Sequence, residues 1–167
     1  MILKKIIILA VCLILTTIAC EAQTPAFTFY GGYNYTHTDS SFDMNGFDFS
    51  GSFRATDNIY VKGDFKTGFK SAYGRDFHLF TYTAGPVYSF RANKQVRPFA
   101  EVLLGAARFG GNGPADNALA AQFGGGLDVN RKRWGLRVIE VDYLYTHFLG
   151  AGQNNVQIST GILWHFQ

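Results

Sequence analysis

From residue 26 onward, apolar side chains alternate with polar or small ones in stretches of about ten residues. Each stretch ends in a cluster of Gly, Asn, Asp, Ser or Lys, which are residues typical of turns. A period of two predicts β-strands whose two faces meet different surroundings. Eight such stretches occur, at residues 27–36, 47–54, 59–69, 77–90, 98–109, 118–130, 134–148 and 155–166. The pattern therefore predicts an all-β chain of eight strands, with no helix between them.

The predicted connections differ in length between the two ends of the strands. Those at one end are short: 55–58, 91–96 and 131–133. Those at the other end are generally longer: 37–46, 70–76, 110–117 and 149–154. Short turns at one end and longer loops at the other are typical of an outer-membrane barrel with both termini in the periplasm. We therefore predict an eight-stranded antiparallel up-and-down transmembrane β-barrel.

The two faces of the predicted strands differ in side-chain size. The lumen of an eight-stranded barrel is only wide enough for side chains to fill it, so large aromatic residues on most strands would overfill it. Turned outward, the same residues match the apolar band and aromatic girdles that lipid requires. A soluble lipocalin-like barrel with an apolar interior is the alternative. The residues predicted to face lipid are Phe27, Phe29, Tyr33, Phe47, Phe49, Phe53, Phe65, Val156, Ile158, Ile162, Trp164 and Phe166.

Charged residues of both signs lie on the opposite faces. Buried charges persist only when they are paired, hydrogen-bonded or hydrated, so these residues predict a network of salt bridges that fills the lumen. A narrow hydrated pathway, with selectivity set by the same charges, is the alternative. Arg137 has the opposite parity to Glu140 and Asp142, which indicates a β-bulge or a position at the periplasmic rim. The predicted interior charges are Asp48, Arg54, Lys62, Asp64, Lys66, Glu101, Asp128, Glu140 and Asp142.

Composition supports this prediction. The chain has 167 residues and a formal net charge of +3, which suits a single domain. Charged residues make up 16%, below the roughly 25% of ordinary soluble domains, while aromatic residues reach 16% and glycine occurs 19 times. These values argue against disorder and against a well-solvated globule. The basic residues lie mainly in turns and form no continuous patch, so we expect no nucleic-acid binding.

The first 22 residues have the pattern of a secretory signal. Lys4 and Lys5 precede an apolar stretch over 6–19, which is shorter than the roughly 20 residues of a membrane-spanning helix. Cleavage after Ala22 leaves residues 23–167 as the barrel domain. The predicted location is therefore the outer membrane of a Gram-negative cell.

Both cysteines lie in this predicted signal. Cleavage after Ala22 removes Cys12 and Cys20, which excludes a disulfide, a thiolate metal ligand and a cysteine nucleophile in the mature chain. A lipoprotein signal is the alternative, in which residues 17–20 form the recognition sequence and Cys20 becomes the lipidated first residue.

Five short motifs resemble the bacterial outer-membrane β-barrel domain family, which is related to the barrels of outer membrane proteins A and X. The motifs are 29–35, 124–128, 142–143, 153–155 and 161–166. The resemblance implies outer-membrane lipids as surroundings and assembly by the barrel insertion machinery, which recognises an aromatic end of the last strand. Phe166, next to the final Gln167, provides that aromatic residue. A structural or surface-interaction role follows, with any surface ligand held by the longer loops.

Catalytic chemistry finds little support in the chain. The resemblance to outer-membrane barrels extends to lipid A deacylases, which use a His with a Ser two positions later, but Leu149 follows His147 at that spacing. His37, His78 and His165 lie on separate predicted strands, without the spacing of a metal site. We therefore predict no catalytic residue, no metal and no cofactor. A lipid-modifying enzyme remains the third functional hypothesis, after the filled barrel and the narrow channel.

Overall fold

The computed structural model describes residues 27–39, 42–72, 74–90, 95–111, 115–131, 133–148 and 151–166. The predicted signal at 1–22, with both cysteines, lies outside the described residues. Eight strands account for nearly all of the described chain: β1 (Phe27–Thr38), β2 (Asp43–Arg54), β3 (Ile59–Ala72), β4 (Arg75–Ser89), β5 (Val96–Gly110), β6 (Asp116–Arg131), β7 (Trp134–Phe148) and β8 (Ala151–Phe166). Among the described residues, no helix is long and apolar enough to cross a membrane.

The strands form one closed sheet in chain order. Each strand pairs antiparallel with its neighbours in the sequence, and β1 pairs with β8 to close the barrel. This closing pair runs in register from Phe27 opposite Phe166 to Thr38 opposite Asn155. The predicted eight-stranded antiparallel barrel is confirmed. Closure gives every strand two hydrogen-bonded neighbours, so the sheet has no unpaired edge.

The connections at the end opposite the termini are shorter than predicted. The strands leave only residues 39–42, 73–74, 111–115 and 149–150 between them at this end. The expected contrast between short turns and longer loops is therefore wrong. Polar residues that resemble a loop continue the ladder: His37 pairs with Asp43 across β1 and β2, and Ser71 pairs with Asp76 across β3 and β4.

The alternation of side chains separates an outer and an inner surface. All twelve residues predicted to face lipid lie on the outer surface, ten of them exposed and Phe27 and Phe65 half-buried. Cross-strand aromatic contacts reinforce the sheet there, as between Phe27 and Phe53, whose ring centroids are 4.7 Å apart. The inner surface consists mainly of polar, charged, small and aliphatic side chains, together with the aromatic residues Tyr30 and Phe99.

A β-bulge interrupts this alternation on β7. Leu127 pairs with Ile139 and the next residue, Asp128, pairs with Arg137, so Val138 is the extra residue. Val138 and Ile139 are consecutive and both face outward, at 45% and 44% exposure. The extra residue brings Arg137 and Glu140 to the same inner surface although they are three positions apart. Of the two alternatives for Arg137, the structure supports the bulge.

Candidate functional site: the barrel interior

The inside of the barrel is arranged in three layers along its axis. A polar vestibule lies at the end that holds the termini, a layer of charged side chains follows, and an apolar cluster fills much of the far half. The layers arise because inward positions of each strand change character along its length. On β7, for example, Arg137, Glu140, Asp142 and Leu144 follow one another from the vestibule to the apolar cluster.

Two lysines from β3 lie at the centre of the charged layer. The Lys62 ammonium is 3.0 Å from Glu101 Oε1, 3.2 Å from Glu140 Oε1 and 3.3 Å from Asp64 Oδ1. Lys62 and Lys66 are four residues apart on a strand, so both point inward, and both lie near Asp64 and Glu140. Both lysines are almost fully buried. Such charges are stable in a barrel interior only because several oxygens surround each ammonium group.

The ammonium group of Lys66 lies within 3.7 Å of four carboxylates. It lies 2.7 Å from Glu140 Oε1 and contacts Asp142, and it is 3.6 Å from Asp48 Oδ2 and 3.7 Å from Asp64 Oδ2. The last two distances exceed those of normal hydrogen bonds. Lys66 is therefore bonded to the β7 carboxylates and only near those of β2 and β3.

Glu140 is the acidic residue that three interior cations share. Lys62 and Lys66 donate to its carboxylate, and Arg137 contacts the same group from the vestibule side. Gln122 links further acids, since its amide nitrogen lies 3.1 Å from Asp142 Oδ2 and 3.3 Å from Asp64 Oδ2. The network consequently joins strands β3, β5, β6 and β7 across the lumen.

Arg137 forms the boundary between the charged layer and the vestibule. Its guanidinium binds both oxygens of Asp128, at 2.8 and 3.0 Å. The same group lies between two aromatic rings, with centroids 4.5 Å away for Tyr30 and 4.4 Å for Phe99. The two cation–π contacts and the bidentate carboxylate together restrict the orientation of the planar group.

The vestibule is a cavity of about 60 Å³ bordered mainly by polar side chains. His165 crosses it, with Nδ1 2.9 Å from Thr28 Oγ1 and Nε2 2.8 Å from Asn130 Oδ1. These bonds connect the end of β8 to β1 and to β6. His165, which sequence spacing gave no role, thus holds the terminal end of the barrel together.

The apolar cluster fills one side of the far half. It consists of Met44, Leu79, Ala107, Ala118, Ala120 and Leu144, with Phe77 and Phe109 packed against it. On the other side, polar residues of β1 and β8 bond to one another, as where Ser159 donates to Asn34 at 3.2 Å. The sequence prediction did not include this cluster, because it rested on the charged residues of the inward faces. The parity that Leu144 shares with Asp142 was the available signal.

The nine residues predicted as interior charges have different locations. Seven are buried in the charged layer: Asp48, Lys62, Asp64, Lys66, Glu101, Glu140 and Asp142. Asp128 is half-buried in the vestibule, paired with Arg137. The prediction is wrong for Arg54, which lies at the end of β2, is exposed, and pairs with Asp57 of the following turn. The interior also contains Arg137, Gln122 and Tyr30, which were not among the nine predicted residues.

Acidic residues approach one another closely enough to suggest a metal site in two places, around Asp48, Asp64 and Glu140 and around Glu101, Glu140 and Asp142. Lysine ammonium groups already lie among these oxygens. Lys66 is within 3.7 Å of each member of the first set, and Lys62 bonds to Glu101 and Glu140 of the second. The lysines therefore serve these carboxylates as counter-ions.

Glycine at position 124 makes room for the charged layer. Gly124 pairs with Asp142 across β6 and β7, and a methyl group there would overlap the Asp142 carboxylate and the carbonyl oxygen of Val141. We expect Gly124→Ala to lower the free energy of unfolding by about 1–3 kcal/mol through overpacking. Gly63→Ala is the matched control, because a methyl group at Gly63 has no neighbour within 4 Å. Equal urea midpoints for both variants in lipid vesicles would contradict this assignment.

No protein-family model matches the chain, and no curated protein matches it. Several solved structures match the chain. Neisserial surface protein A has a TM-score of 0.64 and 16% identity, over 85% of this chain and 97% of that one. Ail of Yersinia pestis, in complex with the heparin analogue sucrose octasulfate, has a TM-score of 0.56 and 19% identity, over 84% and 99%. OprG of Pseudomonas aeruginosa has a TM-score of 0.53 and 10% identity, over 86% and 96%.

The chain has the fold of the small outer-membrane β-barrels. This finding confirms the fold implied by the family resemblance. The identities are low, so the similarity concerns the architecture of the outer-membrane barrel fold and leaves its activity to be argued from the residues of this chain.

Proposed function

We propose that this protein is an integral outer-membrane barrel of Gram-negative type with a structural or surface-interaction role and a filled, charged interior. The observation that carries the proposal is the distribution of its side chains. Large apolar residues cover the outside, while charged residues are buried inside, which reverses the arrangement of a soluble protein. A lipid bilayer stabilises that arrangement, and closure of the sheet leaves no unpaired edge in hydrocarbon.

The outer surface supports the membrane assignment. Large apolar side chains are exposed on all eight strands, up to 79% for Leu119 and 64% for Leu104. Continuous apolar surface of this kind marks contact with a membrane or a partner. Aromatic residues also gather at the terminal end, where the rings of Trp134 and Trp164 are 3.9 Å apart. They provide a girdle at the lipid interface, with the termini in the periplasm.

The filled interior favours a scaffold over a channel. Met44 and Leu144 are fully buried in the apolar cluster. In the charged layer, Lys62, Lys66 and Arg137 form ion pairs with carboxylates. An ion passing through this lumen would have to displace the charged layer. A narrow channel for small solutes or ions is the second candidate, because buried charges of both signs could also select ions if the apolar cluster moved.

We expect the refolded barrel to show no stable conductance steps in a planar bilayer. The physical reason is that ion pairs of Lys62, Lys66 and Arg137 with Glu140 cross the lumen and occupy the path of an ion. Heat-modifiable mobility on a gel, together with protection from protease in vesicles, verifies insertion. Stable steps whose ion selectivity changes in Glu140→Gln or Asp142→Asn would overturn the scaffold and establish the channel.

Export and assembly complete the proposal. Residues 1–22 direct the chain out of the cytoplasm, and the barrel insertion machinery recognises β8, where Phe166 faces outward at 49% exposure. Outer-membrane lipids are then the main partners. Fractionation of cells places the protein, and N-terminal sequencing separates cleavage after Ala22 from lipidation at Cys20. Recovery in the soluble periplasmic fraction would contradict the proposal.

A surface partner would meet the ends of the strands more than the loops, because the connections are short. Asp43 lies there in a polar group, 2.7 Å from both Tyr35 Oη and His37 Nδ1.

His147 is exposed at the same end, 3.5 Å from Tyr145 Oη. A lipid-modifying enzyme is the third candidate, and we propose no catalytic role because His147 has this phenol as its hydrogen-bond partner and no serine two positions later.

A further inference from the structure

The charged interior contains more acids than bases. Among the described residues, Lys62, Lys66 and Arg137 serve six carboxylates, and a fourth cation, Arg97, lines the vestibule together with Asp128. If all were ionised, the interior would carry two more negative than positive charges. Burial of unpaired carboxylates is costly in a medium of low dielectric constant. The carboxylates come from five strands: Asp48, Asp64, Glu101, Asp128, Glu140 and Asp142.

The excess is concentrated at Asp48. This residue is fully buried, and neither of its carboxylate oxygens has a hydrogen-bond partner within the described part of the chain. Its nearest cation is the Lys66 ammonium at 3.6 Å, which is bonded more closely to Glu140 and Asp142. Asp48 is thus the most weakly compensated acid around Lys66. The neighbouring Asp64 Oδ1 also accepts no hydrogen bond, although Lys62 Nζ is 3.3 Å away.

An independent feature points to the same place. The Tyr30 hydroxyl is buried and has no hydrogen-bond partner. Its ring folds over Gly32, where an added methyl group would overlap the hydroxyl, and Gly32 is the residue paired with Asp48 across β1 and β2. Inward side chains on directly paired residues are separated by about 5 Å between their Cβ atoms. The phenol oxygen therefore lies on the same side of this strand pair as the uncompensated carboxylate, and no hydrogen bond joins the two groups.

We propose that the interior binds one further small monovalent cation, a proton or a sodium ion, between Asp48 and Tyr30. A proton would attach to a carboxylate oxygen of Asp48 and neutralise its charge. A sodium ion would use the oxygens of both residues, since hard cations prefer oxygen ligands. The positive charge offsets part of the acidic excess. This inference depends on the interior alone, so it can fail while the outer-membrane proposal holds.

Asp48→Asn tests the site in protein refolded into phosphatidylcholine vesicles. Asparagine removes the charge and keeps the shape, so we expect an unchanged urea midpoint at neutral pH and low sodium if the ligand is a proton. Glu140→Gln is the matched control, and its midpoint should fall because Glu140 bonds to three cations. An infrared carbonyl band of a protonated carboxyl group, present in the wild type and absent in Asp48→Asn, identifies the proton.

A sodium ion gives a different result. Replacing choline by sodium at constant ionic strength would then raise the wild-type urea midpoint, and Asp48→Asn would abolish that rise. Tyr30→Phe provides a second variant if Asp48→Asn fails to fold: it should shift the infrared band or weaken the sodium effect. The proposal is overturned if the wild type shows neither the band nor the sodium effect.

Discussion

Replacing Lys66 with methionine is expected to lower the free energy of unfolding by about 3–5 kcal/mol, because removal of one partner leaves buried charges uncompensated. The Lys66 ammonium is 2.7 Å from Glu140 and also contacts Asp142. Since carboxylates already outnumber cations in this layer, loss of a cation should cost more than loss of an acid. Lys66→Met should therefore be more destabilising than Glu140→Gln. Urea unfolding in vesicles, followed by tryptophan fluorescence and gel mobility, measures the difference.

Lys70→Met is the matched control for this comparison. Lys70 is on the same strand, nearer the far mouth of the barrel, and its ammonium lies 4.4 Å from the centre of the Phe42 ring. Loss of such a cation–π contact at a partly exposed site costs about 1 kcal/mol or less. If Lys66→Met and Lys70→Met were equally mild, the charged layer would have no special role in stability.

Leu104→Arg is expected to destabilise the membrane-inserted barrel by about 2–4 kcal/mol, as a charge does on the lipid face at the bilayer midplane. Leu104 is 64% exposed near the middle of β5, where it pairs with Ala84 and Ala121. An arginine there would have to enter hydrocarbon or distort the bilayer. Equilibrium folding into vesicles, compared with the wild type, gives the energy.

Leu119→Arg separates the effect of depth in the bilayer from the effect of side-chain exposure. Leu119 is even more exposed, at 79%, but lies near the far end of β6, opposite His147. A charge close to the interface costs only about 0–1 kcal/mol. Comparable losses at both positions, or no loss at either, would mean that the outer surface does not lie in a bilayer with this orientation.

Strand positions were predictable because alternation is a local property. The stretch 134–148 coincides with β7, and most other strands begin or end within a few residues of the predicted limits. The largest differences fall where polar residues continue the ladder. β2 begins at Asp43 rather than at residue 47, because Asp43 and Asn45 hydrogen-bond to tyrosines of β1 across the sheet. Their composition indicated a loop, and only the neighbouring strand keeps them extended.

The sequence could predict most of the residues that lie in the candidate site, but it could not predict which of them contact one another. Parity assigned Lys62, Lys66 and Glu140 to one face, but it could not identify their partners. Arg54 shows the limit of parity: it continues the inward pattern of β2, yet it lies past the end of the filled interior and turns toward Asp57. Arg137 shows the opposite case, since the bulge at Val138 restores it to the interior.

The sequence by itself determined that this chain forms strands, that their two faces differ, and which side of each strand is apolar, because these properties repeat every two residues. The tertiary structure decided which charges meet. Lys62 and Glu140 are 78 residues apart and lie 3.2 Å from one another only because closure of the barrel and the β7 bulge set their levels in the lumen. Register and closure depend on all eight strands together, so no local pattern encodes the network or the carboxylate it leaves poorly compensated.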